Sequence, residues 1–448
     1  MKAPVQHLYF VGIGGIGMSA LARYFNRSGA IVSGYDRVRT PLTAALEAEG
    51  IQIHYTDNPD QLPQHIDLAI YTPAVPNDML EMAEIRRRGI ALKKRAEVLE
   101  EITEGSKVIA VAGTHGKTTV TSMISHLLVE AGIPITAFIG GIANNFGNNF
   151  VFMPDSRFIV VEADEYDKSF LRLKPEIALI LSVDSDHLDI YHNHAELVDH
   201  YRRFAMNINK GGKVIHRADL EDLQVQNPIT FGLKGRATHQ AHHIHIENGL
   251  YVFSWLREGH QPIEIKLQVP GKHNIENALA ASAVGIEIGI EPQIIAAALA
   301  TFKGVARRFD RKVNGPTHYY IDDYAHHPAE LTACITAARE LFPGKKICGL
   351  FQPHLFSRTR DFLDDFVRSL NLLDELILLD IYPAREQPIS GISSQVLLDR
   401  CSNPSKILLA KEEVAGYLEN NKPEVLISLG AGNIDQLVEP LTKLIASW

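Results

Sequence analysis

Residues 108–119 read Val-Ile-Ala-Val-Ala-Gly-Thr-His-Gly-Lys-Thr-Thr. An apolar strand runs into a glycine turn, a lysine and two hydroxyls, and the pattern predicts a helix from Thr118 to Glu130. This order restricts the chain to α/β folds in which a parallel strand feeds a helix whose positive end faces an anion. In such a loop backbone N–H groups close on phosphate oxygens. Lys117 can place a charge at the β/γ-phosphates, and the Thr118 hydroxyl can bind Mg²⁺. Gly113, Thr114, His115, Gly116, Lys117, Thr118 and Thr119 are therefore the candidate ATP-binding residues. The loop is shorter than the common eight-residue form, because the residue six before Lys117 is Val111 and not glycine.

A second glycine loop precedes it. Gly12-Ile-Gly14-Gly15-Ile-Gly17 follows an expected strand at His7–Ile13 and opens an expected helix at Met18–Ser28. Asp36 closes the next strand, Ile31–Tyr35, about where a ribose-binding acid belongs. Taken alone, this loop reads as a dinucleotide fold holding NAD, with a tight structural turn as the plainer alternative. A strand at Leu68–Tyr71 leading to Thr72, a helix at Asp78–Arg88 and a short strand at Ala91–Lys93 extend a Rossmann-like series. The polar stretch 101–106 reads as a linker.

Beyond the phosphate loop, strands are expected at Phe158–Glu162 and Ile177–Val183. Region 211–270 reads as a β-rich excursion, and a helix is expected at Asn274–Ile288. From about Asp310, strands at Tyr319–Asp322, Lys346–Phe351, Glu375–Asp380 and Val425–Leu429 alternate with helices, giving a second doubly wound sheet. The formal net charge of −9 speaks against a nucleic-acid partner. Three cysteines without metal-like spacing fit a reducing compartment. No apolar run approaches the ~20 residues that span a bilayer, and no charged-then-apolar leader is read. A cytoplasmic protein is expected.

Glu162 ends an apolar strand beside the phosphate loop, where a carboxylate suits Mg²⁺, a hard ion that takes oxygen ligands. Asp164, Glu165 and Asp167 read equally as a solvated acidic loop. Asp186, His187 and Asp189 follow another apolar strand and can bind a second metal or a substrate acid. Asn274 and Asn277 open a helix and offer amides to an adenine edge, although Asn274 could simply cap it. Arg307-Arg308-Phe309, the run Asp322-Asp323-Tyr-Ala-His326-His327-Pro328 and the run Phe351-Gln-Pro-His354-Leu-Phe-Ser-Arg358 all lie at or near expected strand ends. His239, His242, His243 and His245 tempt as a zinc cluster, but no cysteine or carboxylate completes a set.

Together these motifs resemble the Mur ligase family, the ATP-dependent amide ligases of peptidoglycan precursor synthesis. The resemblance runs through essentially the whole chain in order. It is carried by Gly12-Ile-Gly-Gly-Ile-Gly-Met-Ser-Ala-Leu-Ala, Ala112-Gly-Thr-His-Gly-Lys-Thr-Thr, Asp322-Asp-Tyr-Ala-His-His-Pro and Phe351-Gln-Pro-His. Asp380-Ile-Tyr-Pro-Ala-Arg-Glu-Gln-Pro-Ile-Ser-Gly points to the branch that joins L-alanine to the lactyl carboxylate of UDP-N-acetylmuramate through an acyl phosphate. The resemblance implies a UDP-sugar-binding domain at 1–103, a central ATP-binding domain at 104–309 and a C-terminal ligase domain at 310–448 that closes over the site. It reassigns Gly12, Gly14, Gly15, Gly17, Asp36 and Thr72 from NAD to the UDP-sugar. Lys117 resembles the phosphate lysine and Thr118 the Mg²⁺ hydroxyl. Glu162 resembles the first-metal carboxylate and His187 the second-metal ligand. Asn277 and Asn274 resemble the adenine side, with Arg308 and Asp323 on the ATP side. His326, His354 and Arg358 resemble positions near the two carboxylates. The implied catalytic set is Lys117, His187, Arg308, His326, His354 and Arg358.

Two departures stand out. Tyr201-Arg202-Arg203 occupies the place of a carbamylated lysine found in some members, and Leu355 stands where many have arginine. The expected partners are UDP-N-acetylmuramate and L-alanine, with ATP as co-substrate and Mg²⁺, in a monomer or weak homodimer without nucleic acid or membrane. Two other enzyme readings are a ligase that reattaches a recycled murein tripeptide to the same sugar and a nicotinamide-dependent oxidoreductase. The oxidoreductase leaves the second loop unexplained. A non-catalytic nucleotide-sugar sensor would not need the intact Lys117, Thr118, Glu162 and His187.

Overall fold

The computed structural model describes residues 6–448 apart from 74, 77, 185–192 and 385, and apart from the side chains of Tyr166 and Asp167. The chain is α/β, with three sheets. The first holds β1 (His7–Val11), β2 (Ile31–Tyr35), β3 (Gln52–His54), β4 (Leu68–Tyr71) and β5 (Leu92–Lys94) in the order β3-β2-β1-β4-β5. Its pairings are all parallel. Leu8 to Val11 are fully buried, as expected for a parallel strand covered on both faces. The strand order reverses between β1 and β4, which opens a crevice at their C-terminal ends. Gly12 and Thr72 lie there.

The second sheet holds β6 (Val108–Ala112), β7 (Ile135–Ala143), β8 (Asn148–Phe152), β9 (Phe158–Ala163), β10 (Ile177–Ile180), β11 (Lys213–Arg217), β12 (Ile229–Gly232), β13 (His239–Glu247), β14 (Leu250–Arg257) and β15 (Ile263–Leu267). Its order is β15-β14-β13-β12-β11-β10-β6-β9-β7-β8. β6 therefore sits inside the sheet, parallel to β10 on one side and β9 on the other. The helix Lys117–Glu130 that follows β6 is buried from Val120 to Leu128. The β-rich stretch does not leave the sheet, since β11 to β15 continue it strand by strand to its edge.

The third sheet holds β16 (Asp310–Asn314), β17 (Tyr319–Asp323), β18 (Ile347–Phe351), β19 (Glu375–Leu378), β20 (Ser405–Leu408) and β21 (Val425–Leu429) in the order β16-β17-β21-β18-β19-β20. Only β16 is antiparallel among its described pairings. The chain divides into two compact units. One is 1–242 with 254–265 and 276–300; the other is 243–253, 266–275 and 301–448.

The first half of the expected linker at 101–106 is instead the end of a helix. Helix Arg95–Thr103 starts with the Glu97 carboxylate accepting from the Lys94 N–H at 2.7 Å. Val98 is buried, and Leu99 and Ile102 pack on the core beside it. The polar residues lie on its outer face, and composition alone mistook that face for a linker. Chain direction changes only after it, at Gly105.

Candidate active site

In the first unit, the glycine loop closes on the end of β2. The N–H groups of Gly12 and Ile13 donate to the Tyr35 carbonyl at 2.8 and 3.0 Å, and Gly14 N–H donates to Asp36 Oδ2 at 2.7 Å. Thr72 Cγ2 lies 3.4 Å from where a Cβ on Gly12 would stand. Gly15 precedes the helix Ile16–Arg27, and Gly17 lies in its first turn. The sequence reading missed Arg95, whose guanidinium lies directly against Gly17. The Lys93-Lys94-Arg95 run at the end of β5 was the available signal.

The phosphate loop is built by Ser182, a second residue missed from sequence. Its Oγ accepts from His115 N–H at 2.9 Å and pairs with Thr114 Oγ1 at 2.8 Å. Its carbonyl accepts from Thr114 N–H at 3.2 Å. Gly116 caps the following helix with φ +83°, a left-handed conformation that favours glycine. A Cβ there would also stand 2.9 Å from Asn277 Oδ1. Asn277 is thus seated on the phosphate loop. Thr119 lies in the helix's first turn.

Lys117 Nζ donates to the Gly113 carbonyl at 2.7 Å and to both Glu165 oxygens at 2.7 and 2.9 Å. Glu165 is fully buried, so it is not the solvated acid that composition allowed. Burial works against the lysine's charge, but Glu165, Asp164 and Glu162 outweigh it and hold its pKa above the ordinary value. The missed signal was the position of Glu165, three residues past a buried strand's final carboxylate.

Glu162 ends β9. Its Oε1 accepts the Gly140 N–H at 2.6 Å. A Cβ on Gly140 would stand 2.4 Å from Oε2, so only glycine allows this approach. Burial pushes the Glu162 carboxyl up, against the opposing pull of the Gly140 amide, the Thr118 hydroxyl and Lys117. A desolvated carboxylate beside a hydroxyl is an oxygen donor set that suits a small hard cation. Among the described residues, no group of three or more His, Cys, Asp or Glu could hold a metal. Two protein oxygens completed by substrate phosphates and water fit Mg²⁺, which seldom takes an all-protein cage. Asp186, His187 and Asp189 lie outside the described residues. Tyr201 is core, edge-on to Phe170 at 5.3 Å.

The second unit assembles its own group. Asp323 ends β17 and accepts from Phe309 and Ala325 N–H, both at 2.7 Å. Burial pushes its pKa up to about 6. Arg308 lies 3.5 Å from Glu330 and stacks over the Tyr324 ring at 5.4 Å. Its neighbour Arg307 is spent structurally, on Asp322 at 3.0 Å and the Gly430 carbonyl at 2.7 Å. His326 Nδ1 lies 2.9 Å from the Tyr324 carbonyl, which can only accept, so Nδ1 carries the proton and Nε2 keeps its lone pair.

His354 follows β18, stacked on Tyr382 at 5.7 Å and 6.0 Å from His326 between ring centres. Its buried Nδ1 has no hydrogen-bond partner among the described residues, and burial pulls its pKa down to about 4. Burial also lowers His326. The positive charge of Arg358 acts on both rings in the same direction. Leu355, where the resemblance implies arginine in many members, has φ +71° and ψ +135°, a strained conformation for leucine. Asn274 is spent on the Pro270 carbonyl at 2.6 Å, among its other interactions, as an anchor for its helix. His239 is buried on Trp255, while His242, His243 and His245 are exposed on β13.

Three family models match the chain in order. The Mur ligase family catalytic domain matches 7–107, the Mur ligase middle domain 111–285, and the Mur ligase glutamate ligase domain 307–427. The chain is 44% identical over 447 residues to the UDP-N-acetylmuramate–L-alanine ligase of Christiangramia forsetii, covering 98% of each. It is 46% identical over 445 residues to the enzyme of the same name from Flavobacterium psychrophilum, again covering 98% of each. The crystal structure of UDP-N-acetylmuramate-alanine ligase from Thermotoga maritima matches with TM-score 0.87 and 29% identity, over 98% of this chain and 99% of that one. A murein peptide ligase from Psychrobacter arcticus matches in fold with TM-score 0.74 at 23% identity, over 99% of each.

Proposed function

Because the chain belongs to the Mur ligase family, we propose that it joins L-alanine to the lactyl carboxylate of UDP-N-acetylmuramate at the expense of ATP. The observation that carries this reading is the pairing of Lys117 with buried Glu165, beside the Gly140-clamped Glu162. An ammonium and a carboxylate held at adjacent strand ends suit transfer of a γ-phosphoryl group, not of a hydride. The relatives at 44–46% identity carry the alanine-adding name, which favours this reaction over tripeptide recycling.

A carboxylate is a poor acyl donor because its leaving group would be oxide. Phosphoryl transfer gives an acyl phosphate and ADP. The amine attacks, and the tetrahedral intermediate collapses to the amide and inorganic phosphate. Lys117 and Arg308 neutralise charge on the transferring group. Thr118 and Glu162, with His187, would hold Mg²⁺, which supplies charge neutralisation at the phosphates when bound. Asn277 contacts the adenine side, and Asp323 fixes the Arg308 turn through the Phe309 N–H.

The glycine loop with Asp36 and Thr72 binds the nucleotide-sugar, and Arg95 beside Gly17 supplies a cation for its diphosphate. His326, with Nδ1 already donating, presents a free Nε2 lone pair to take the amine's proton. Burial pulls the His354 pKa down to about 4. His354 and Arg358 position the substrate carboxylates.

The reading places domain boundaries at 103/104 and 309/310. It expects a cytoplasmic protein, monomeric or weakly dimeric, without nucleic-acid or membrane partners. The net charge of −9 gives no basic excess to neutralise nucleic-acid phosphates. The test is ADP release by purified protein with ATP, Mg²⁺, UDP-N-acetylmuramate and L-alanine, glycine, L-serine or the murein tripeptide. Release dependent on both the sugar and L-alanine is expected. Its absence refutes the reading, and preference for the tripeptide moves the protein to the recycling branch.

A further inference from the structure

Arg23 and Asn149 are 3% and 0% exposed and belong to neither nucleotide loop. Arg23 Nε donates to Glu49 at 2.8 Å and Nη1 donates to Asn149 Oδ1 at 2.5 Å. Asn149 Nδ2 donates to the Ile16 carbonyl at 2.6 Å and to Ser19 Oγ at 3.0 Å. Both amide hydrogens and the amide oxygen are therefore used, as a buried polar group requires. Ile16 is the first residue of the helix that leaves the glycine loop, so the amide grips the loop's exit.

Along the backbone, Asn149 lies opposite the strand segment that carries Gly140. On the β7–β8 hairpin, Phe138 pairs with Phe150 and Ala143 with Asn148. Residues 139–142 of β7 therefore bulge opposite the single residue 149. Bulges of this kind re-aim a segment beside a site. Gly140 lies within this one, and its N–H binds Glu162. A ring seam of Tyr24 with Phe138 and Phe150, at 5.7 and 6.4 Å, continues the contact between the helix and the hairpin.

We propose that Asn149 is a positioning residue for the ligation. It fixes the first turn of the glycine-loop helix against the bulge that aims the Gly140 amide at Glu162. The nucleotide-sugar loop and the phosphate-site carboxylate are thereby held in one register. The inference rests on the functional reading above, because it assigns those two places to the two substrates.

The test uses the full chain with Asn149→Asp and Asn149→Ala. Aspartate keeps the acceptor for Arg23 but cannot donate to the Ile16 carbonyl. Both variants should lose about tenfold or more in kcat, since a displacement of about 1 Å between reacting groups has costs of this order. The Kd for UDP alone and for ATP with Mg²⁺ alone should stay within about twofold of wild type, because each site remains intact by itself. An aspartate variant with wild-type kcat overturns the proposal. So does a loss of UDP affinity in step with kcat, or failure of both variants to fold, since either means a purely structural role. A wild-type protein inactive with all substrates overturns the functional reading, and this inference with it.

Discussion

Gly140→Ala tests the phosphate site without touching a charged group. A Cβ at this position would stand 2.4, 2.5 and 2.6 Å from the Oε2, Oε1 and Cδ atoms of Glu162. Ordinary contact begins at 3.4 Å, so the carboxylate must retreat by about 1 Å. Retreat also lengthens the 2.6 Å bond from the Gly140 N–H, and a hydrogen bond to a charged group contributes about 1.5–3 kcal/mol. At about 1.4 kcal/mol per decade, that loss corresponds to about 10–100-fold in rate if it falls wholly on the transition state. A displacement of about 1 Å independently predicts about 100-fold. We expect kcat to fall about 100-fold with UDP affinity unchanged.

The fold should survive, because Gly140 is not among the positive-φ residues and alanine is conformationally acceptable there. Lower entropy of the unfolded chain even favours the variant by about 0.4–1 kcal/mol. Steady-state ADP release and calorimetric UDP titration read the two quantities. Gly416→Ala, where the added methyl meets nothing within 4 Å, is the control. A Gly140→Ala protein with kcat within about twofold of wild type would refute the claim that this close approach matters to the reaction.

Lys117→Met should abolish turnover, leave UDP affinity intact and cost about 3–5 kcal/mol of stability, because buried Glu165 loses its counter-charge. Adding Glu165→Gln should restore stability in urea but not activity; a double variant no more stable than the single would contradict this. His239 accepts the Trp255 indole N–H on Nδ1 at 3.2 Å, and burial pulls its pKa from 6.5 to about 4. It therefore stabilises the fold fully above pH 6.5 and loses up to about 3 kcal/mol as pH falls toward 4. His239→Gln should flatten the pH dependence of the urea midpoint in that window, and equal slopes would count against the assignment. UDP should raise the melting temperature and NADH should not; the reverse would revive the dinucleotide reading.

Both glycine loops and the strands leading into them were legible in the sequence, because apolar strands ending in glycine and polar clusters are local patterns, whereas β7 and β8 and the continuity of 211–270 with the central sheet were not. Nor were the site's internal supports. Ser182 looks like any residue near a strand's end, yet from just beyond β10 it organises the Thr114–His115 turn, 67 residues before it at His115. Glu165 sits in an acidic run whose composition suggests solvent, and only the fold brings it under Lys117. Gly140 resembles a flexible residue in a strand until Glu162 is placed against it. Asn274 and Asn277 look equivalent from spacing. The structure seats Asn277 on the phosphate loop and commits the Asn274 amide to the Pro270 carbonyl. Arg307 and Arg308 both lie over the Tyr324 ring, but Arg307 is committed to Asp322 and Arg308 lies beside Glu330.

The phosphate site's charges explain why these supports are arranged as they are. Lys117 is surrounded by Glu165, Asp164 and Glu162, and all three act to keep it charged. One ammonium against three carboxylates leaves the loop with an excess of negative charge, which is a poor host for a bare triphosphate. Two unit charges about 5 Å apart at an effective dielectric of ~20 interact by about 3 kcal/mol, or about a hundredfold in affinity. On the proposed reading, the same carboxylates would become favourable once a divalent cation is held by Glu162 and Thr118 with the phosphates. Glu162 is already biased toward that outcome. Burial disfavours its charge, and only the Gly140 amide, the Thr118 hydroxyl and Lys117 oppose that cost. Glu165 takes the opposite part, holding the lysine in place through a bond that does not need the metal. On the proposed reading, the acidic run after β9 divides its work by depth: buried Glu165 orients the lysine of the chain, and Glu162 would receive the cation of the substrate.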